Sequence, residues 1–427
     1  MFEVKRSVIE KREEIKTLIE EIRSLTKINP VVMETANNIV REVKKRGDEA
    51  ISELTFKFDG VQIEPGDFEI AWEEVVNAWD SLDDEVKNAM KVASGRIAEF
   101  AKRSLRSDWD LELADGLIVG ELGRPLKRAG IYIPGGRYPY PSTVLMTGIP
   151  ASVAGVEEIV FCVPPSFKGK PNPATIAAIF LVGKCRVFRI GGAQAIAALA
   201  FGTESVPKCD VIAGPGNAYV LAAKKIVSNF VRLDTEAGPS EIAIYIEDPR
   251  YSKFASADAF AQLEHDPASI AVIVSTSEDV LDKTCESLKE MGEELQADGR
   301  VFVVLCSEID LAMELIDGIA PEHLELMTDD AEQLLNFVRS AGSIFFGPYS
   351  AVALGDYIAG PSHVLPTGGS ASRLSGLNVH SFRRTMNLVS YNKKAFKADS
   401  SHASLLSELE GLDAHNRSLK LRNADEE

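Results

Sequence analysis

Ile159-Val-Phe-Cys-Val163, Ala174-Thr-Ile-Ala-Ala-Ile-Phe-Leu-Val182, Val187-Phe-Arg-Ile190, Ala195-Ile-Ala-Ala-Leu-Ala-Phe201, Asp210-Val-Ile-Ala213 and Ala218-Tyr-Val-Leu-Ala-Ala-Lys-Lys-Ile-Val227 follow one another in the middle of the chain. The first, third and fifth are short apolar runs of strand length. The others are Ala-rich and of helical length. Strands that are apolar throughout, with helices between them, indicate a parallel sheet covered on both faces.

The same rhythm continues downstream. Glu241–Ile246, Ile270–Ser275, Val301–Cys306 and Ser343–Phe346 read as strands. Phe254–His265, Val280–Leu295, Leu311–Ile319 and Ala331–Arg339 read as the helices between them. The fold class is therefore α/β, with two parallel-sheet units of comparable size. Upstream, roughly the first 110 residues read as helical, with Ile9–Ile28 stopped by Pro30 and Val31–Gly47 stopped by its glycine. Beyond Asn378, Leu405, Leu406, Leu409, Leu412, Leu419 and Leu421 lie on otherwise charged helices. So short a tail cannot bury that stripe alone, so it must pack on the body or on another subunit.

Composition narrows the function. The 427 residues carry 46 Lys plus Arg against 64 Asp plus Glu, a net −18. That balance excludes general nucleic-acid and anionic-membrane binding, which need clustered basic charge. No apolar run approaches the ~20 residues of a membrane span, and the charged N-terminus lacks a secretory stretch. The five cysteines form no CxxC and sit mostly in apolar or mixed runs, as small buried hydrophobes do. These features point to a reduced, cytoplasmic protein.

Six histidines can be weighed one by one. Gln262 and His265 end a helix at i, i+3 spacing, which suits two metal ligands on one face and equally a solvated helix end. Glu322 and His323 can share a pocket only on a turn between elements, because neighbours in a helix or strand diverge. Their position after Leu311–Ile319 puts them there, as a candidate acid–base pair. Asp356 and His363 lie in a Gly/Pro-punctuated loop of the kind that carries function. His380 and His402 have no partner motif and read as surface or structural residues. Gly191-Gly-Ala-Gln194 and Gly214-Pro-Gly-Asn217 each follow an apolar strand and open a helix, where free amides favour phosphate. Neither is the dinucleotide fingerprint, because Tyr219 occupies the third glycine position.

Taken in order, Gly130-Ile-Tyr-Ile-Pro-Gly-Gly136, the Gly191–Pro207 run, Gly214–Asn217, Ala237-Gly-Pro-Ser-Glu241, Gln262-Leu-Glu-His265, Gly318-Ile-Ala-Pro-Glu-His323, Gly355-Asp-Tyr with His363-Val-Leu-Pro-Thr, and Glu410-Gly-Leu-Asp-Ala-His415 resemble the histidinol dehydrogenase family along most of the chain. The resemblance implies a zinc site of Gln262, His265, Asp356 and His415, with Glu322 and His323 as the acid–base pair. It implies substrate contacts from Ser240, Gln262, His265, His323, Asp356, Glu410 and His415, and NAD held near Tyr132, Gln194 and Asn217. The implied substrate is L-histidinol, oxidised through L-histidinal to L-histidine in the last steps of histidine biosynthesis. The implied assembly is a homodimer whose tail carries Glu410 and His415 into the neighbour's site. His363 is expected beside the site.

The expected domains are a helical segment (1–24), a discontinuous first Rossmann-like domain (25–130 with 241–376), a second one (131–240) and a helical tail (377–427). Val352-Ala353 and Pro361-Ser362 depart from the usual family pattern, at positions that supply no ligand. From the residues alone, two other readings stand: a zinc hydrolase with Glu322 as general base, and a non-catalytic dimeric zinc scaffold. The first lacks an HExxH motif, and the second lacks the clustered cysteines of a structural site.

Overall fold

The computed structural model describes residues 2–135, 138–238, 240–295 and 297–424. Gly136 and Pro239 of the motifs quoted above lie outside the described residues. In chain order the strands are β1 (Glu3–Ile9), β2 (Glu69–Ile70), β3 (Trp109–Ala114), β4 (Leu117–Pro125), β5 (Arg128–Tyr132), β6 (Glu158–Cys162), β7 (Arg186–Phe188) and β8 (Val211–Ala213). They continue with β9 (Arg232–Leu233), β10 (Glu241–Ile246), β11 (Ile270–Ser275), β12 (Arg300–Cys306), β13 (His323–Met327), β14 (Ser343–Phe346) and β15 (Arg383–Tyr391). The chain forms two compact units, Met1–Ser104 with Leu126–Phe382, and Leu105–Pro125 with Arg383–Glu427.

The larger unit holds two six-stranded sheets. The first has the order β1-β12-β11-β10-β13-β14 and is parallel throughout. The second has the order β2-β7-β6-β5-β8-β9, parallel except at its β2 edge. Each sheet grows outward from a central strand, β10 or β5, and then returns to add strands on that strand's other side. The order therefore reverses between β10 and β13, and between β5 and β8.

Alternating side chains serve the two faces of the first sheet. Ala243, Tyr245, Val272, Val274 and Phe302 pack against helices Arg12–Leu25 and Ile309–Ile319. Ile242, Ile244, Ile273, Val301 and Val303 pack against Ser252–Leu263 and Glu278–Glu294. Apolar burial on both faces is why these strands read as continuous hydrophobic runs. In the second sheet, Val160, Phe188 and Ile212 share a core with Ile39, Val40, Ile51 and Ile196. Helices Pro30–Arg46 and Asp48–Asp59 thus cover the second sheet, although they follow β1 of the first sheet in the sequence.

Besides the short strand β2, which falls in the stretch read as helical, three segments differ from the sequence expectation. Residues 3–9, read as part of a helical segment, form β1, paired in parallel from Glu3↔Arg300 to Ile9↔Cys306. Only Ile9 of this strand is buried, so its side chains carry no local strand signal; the open backbone edge of β12 recruits it. The tail, read as helical, begins with β15, which pairs antiparallel with β4 from Arg383↔Pro125 to Tyr391↔Leu117. Helices Lys393–Leu409 and Asp413–Ala424 follow, as expected. Ala331–Arg339 is helical only over Ala331–Leu334.

Candidate active site

In a right-handed β–α–β unit the helix runs back across the sheet, so its C-terminus returns to the amino edge of the strands. Helix Ser252–Leu263 does so after β10, and it brings Gln262 and His265 to the edge where β10 and β13 begin. Ser240 immediately precedes β10. Glu322 lies on the bend before β13, and His323 is that strand's first residue. Glu322 sits on the bend and His323 in the strand itself, and their side chains stay close to one another. His265 lies just beyond the helix end, with its N–H donating to the Gln262 carbonyl at 3.4 Å.

Ser240, Gln262 and Glu322 form a hydrogen-bonded chain. The Gln262 amide donates to the Ser240 hydroxyl, and that hydroxyl donates to Glu322 Oε2. The Glu241 N–H donates to the same oxygen at 3.2 Å. Glu322 is 7% exposed and His323 3%. His323 Nδ1 stands 3.8 Å from Glu322 Oε2, and its Nε2 stands 3.7 Å from Asp356 Oδ1. These separations are too long for hydrogen bonds. Among the described residues neither ring nitrogen has a hydrogen-bond partner. A buried imidazole with two unsatisfied nitrogens is the arrangement that a ligand would complete.

Burial sets the protonation states. It pushes the Glu322 carboxyl well above its ordinary range, helped by the nearby Glu241 and Asp356, while the Ser240 hydrogen bond pulls the other way. Burial lowers His323 to about 3, with His265 and His363 adding to the effect, so the ring is neutral. Asp356 is raised to about 7 by burial. His265 keeps an exposed face, and the protein around its ring lowers its pKa, so it too favours the neutral form. His363 is lowered to about 4 by burial. Its Nδ1 donates to the Asp356 carbonyl at 2.8 Å, which leaves Nε2 to accept from the Thr143 hydroxyl at 3.1 Å.

That last contact joins the two sheets. Thr143 lies in the first turn of helix Pro141–Ala154, which follows β5 and starts at the carboxyl edge of the second sheet. The Gly238 N–H donates to Thr367 at 2.8 Å and reinforces the junction. The amino edge of the first sheet therefore faces the carboxyl edge of the second.

Tyr132, Gln194 and Asn217 gather on that carboxyl edge, where the strand order reverses between β5 and β8. A sheet of this kind binds ligands at such a point. The Tyr132 hydroxyl accepts from the Gly192 N–H at 3.2 Å. The Gln194 Nε2 is buried and has no partner among the described residues. Asn217 is exposed and caps helix Ala218–Val227, accepting from the N–H groups of Tyr219 and Val220 at 3.0 and 3.1 Å. At Gly214 the backbone φ is +111°, and an added Cβ would lie 2.0 Å from the Tyr132 carbonyl oxygen. Only glycine fits there.

Glu410 and His415 are exposed and belong to the smaller unit. Among the described residues no group of three or more His, Cys, Asp or Glu side chains is arranged to hold a metal. His380 is structural, with its Nε2 bonded to the Ser104 carbonyl at 2.9 Å, and His402 is exposed. The departures at 352 and 362 are absorbed locally. Val352 is buried and starts the helix that carries Asp356, while the Ser362 hydroxyl accepts from the Val364 N–H at 3.2 Å.

Sequence reading missed Glu241 and Glu325. Glu241 accepts from the Gly368 and Gly369 N–H groups at 3.0 and 3.3 Å, which holds the loop after His363. Its place in the Ala237–Glu241 motif was the available signal. Glu325 is 2% exposed and accepts from the Val352 N–H at 3.2 Å, so it ties β13 to the Asp356 helix. Burial and the neighbouring Asp258 hold its carboxyl well above the ordinary range.

A buried carboxyl and a buried imidazole stand on one sheet edge, and glycine turns that open helices face them from the other sheet of an α/β fold. The sequence model of the histidinol dehydrogenase family matches residues 23–423. A histidinol dehydrogenase from Parasynechococcus marenigrum is 42% identical over 392 residues, covering 90% of this chain and 89% of that one. One from Methanocaldococcus jannaschii is 41% identical over 423 residues, covering 96% of each. The crystal structure of histidinol dehydrogenase from Elizabethkingia anophelis superposes with a TM-score of 0.92 at 32% identity, covering 99% of this chain and 98% of that one. The chain belongs to the histidinol dehydrogenase family and is an oxidoreductase, which sets aside the hydrolase and scaffold readings. No helix among the described residues is long and apolar enough to cross a membrane.

Proposed function

We propose that this enzyme oxidises L-histidinol through L-histidinal to L-histidine, passing two hydrides to two NAD molecules with one zinc ion per subunit. The observation that carries this reading is the apposition just described. The acid–base edge and the glycine-turn edge face each other across the Thr143–His363 hydrogen bond. Gln262, His265 and Asp356 offer an amide, an imidazole that favours the neutral form and a half-buried carboxylate, a donor set that suits zinc. His415 would complete it from a second subunit. The orphaned Gln194 amide and the Asn217 turn suit a dinucleotide.

When bound, zinc serves as a template for the substrate's imidazole and amine, and NAD accepts hydride. The protein's own groups handle protons and water. Oxidation of the primary alcohol requires the hydroxyl proton to leave as hydride leaves carbon, and neutral His323 accepts it. The aldehyde has no such proton until water adds. Glu322, once ionised, takes a proton from that water while protonated His323 returns its proton to the aldehyde oxygen, so the hydrate forms and His323 is neutral again. His323 then takes a hydrate hydroxyl proton as the second hydride leaves, giving the carboxylic acid, which ionises. The sum is alcohol, water and two NAD⁺ giving carboxylate, two NADH and three protons. Burial favours the protonated form of Glu322 in the substrate-free site. A cationic amino alcohol supplies the positive charge that favours its carboxylate.

Counting NADH formed per histidinol consumed tests the reading. Two supports it, one makes the enzyme an ordinary alcohol dehydrogenase, and none refutes it. The proposed homodimer with tail exchange is supported by the smaller unit's exposed leucines, among them Leu405, Leu406 and Leu409. Mixing His323→Asn and His415→Asn proteins under exchanging conditions should restore about a quarter of native activity, because half of randomly assorted two-fold dimers are mixed and each has one intact site. No recovery would place His415 in its own subunit's site or in none. A cytoplasmic location is proposed on the strength of the five free cysteines, three of them buried.

A further inference from the structure

Lys224 and Asp234 form an ion pair at 2.5 Å with side chains 1% and 0% exposed. Nothing in the acid–base chemistry uses them. As a stability device the pair is a poor choice, since apolar residues of similar volume usually serve a core as well or better. Where its hydrogen bonds go is more informative. The Lys224 ammonium also donates to the Gly214 carbonyl at 3.0 Å, and the Gly214 N–H donates to the second Asp234 oxygen at 2.8 Å. Both backbone polar groups of one residue are thus held by the two ends of one ion pair.

That residue opens the turn Gly214-Pro-Gly-Asn217. Lys224 lies two turns into the helix that Asn217 caps, on the face where a side chain reaches back towards the helix start. Asp234 follows β9, and its own N–H donates to Ile212 of β8 at 3.2 Å. Gly214 is meanwhile pressed against the Tyr132 carbonyl with φ at +111°. The turn is fixed on its inner side, and Asn217 and Tyr219 are exposed on its outer side.

We propose that the Lys224–Asp234 pair is a positioning clamp that presets the Gly214–Asn217 turn for the dinucleotide. This rests on the reading that the turn faces NAD. The clamp lowers the ordering needed on binding and leaves hydride transfer itself untouched, so it acts on cofactor affinity rather than turnover.

Asp234→Asn keeps the shape but cannot accept from both Gly214 and Lys224. For the zinc-loaded enzyme titrated calorimetrically with NAD⁺, Kd and KM for NAD⁺ should rise about tenfold. Turnover at saturating NAD⁺, KM for histidinol and bound zinc should stay near native. A lower Tm with an unchanged NAD⁺ Kd overturns the clamp and leaves the pair purely structural. If Asp234→Asn does not fold, Asp234→Glu, which keeps the charges but displaces the turn by a methylene, gives the same reading. A raised Kd supports the clamp, and a native one overturns it. Asn217→Ala, titrated alongside, separates the two ideas. If it raises Kd while the Asp234 variant does not, the clamp alone fails. If neither raises Kd, the turn does not face the cofactor, and both fail.

Discussion

The two sheets of the larger unit share one winding scheme and use it at opposite edges. The first places Ser240, Gln262, Glu322 and His323 where β10 and β13 begin. The second places Gly191, Gly214 and Asn217 where β7 and β8 end. The contrast follows from what each edge presents. Carboxyl ends of strands lead into helix N-termini, whose free amides suit a dinucleotide's phosphates. Amino ends receive helix C-termini and strand starts, which here deliver buried side chains whose pKa values burial has moved. A dehydrogenase needs both kinds of edge, and it brings them together by facing one against the other.

The comparison breaks most visibly at His323. His323→Asn should lower turnover in both oxidations by about 10²- to 10⁴-fold, the range for a lost general base, while bound zinc and KM for NAD⁺ stay near native. His265→Asn should lower zinc and activity together. If the His323 variant loses zinc or the His265 variant keeps it, the roles on the amino edge are misassigned.

Gly214→Ala probes the other edge. An alanine there must move the turn off Tyr132 or accept a strained φ, at about 1–3 kcal/mol, which is roughly 5- to 150-fold in NAD⁺ affinity if the turn bears it. Turnover at saturating NAD⁺ should change little. A large fall in turnover with native NAD⁺ affinity would merge the two edges into one function.

Ser240→Ala is the finest test. The Ser240 hydroxyl stabilises the ionised form of Glu322, so its loss raises the Glu322 pKa further. The acid limb of histidinal oxidation should move to higher pH by about one unit, the worth of one hydrogen bond to a charged group. The limb would be read from the pH–rate profile with histidinal as substrate. A shift to lower pH would show that Glu322 does not act as the ionised base.

Much of this was legible locally. β6, β8, β10, β11 and β12 were read within a residue or two, because strands buried on both faces spell continuous apolar runs; β14, half-exposed, was read from its apolar residues alone. The placement of Glu322 and His323 between two elements was also legible, although His323 is the first residue of β13. β1 and β15 were not. Their side chains are mostly exposed, and they are strands only because β12 and β4, far away in sequence, offer backbone partners. Glu325 was hidden for a related reason. A glutamate in His323-Leu-Glu-Leu-Met327 looks like an outward-facing residue until the Val352 N–H and Asp258 close over it.

The sequence by itself determined the strand–helix rhythm, the glycine turns, the candidate acid–base pair and, through eight ordered motifs, the family. These depend on neighbours within a few residues, where backbone geometry dictates what side chains can do. Only the tertiary structure decided which helices cover which sheet, that the amino edge of one sheet faces the carboxyl edge of the other, and that burial favours neutral His323, neither of whose ring nitrogens has a hydrogen-bond partner among the described residues. Those properties come from burial and from partners distant in sequence. The desolvation that moves a pKa, and the closing of one edge on another, exist only once the chain has packed.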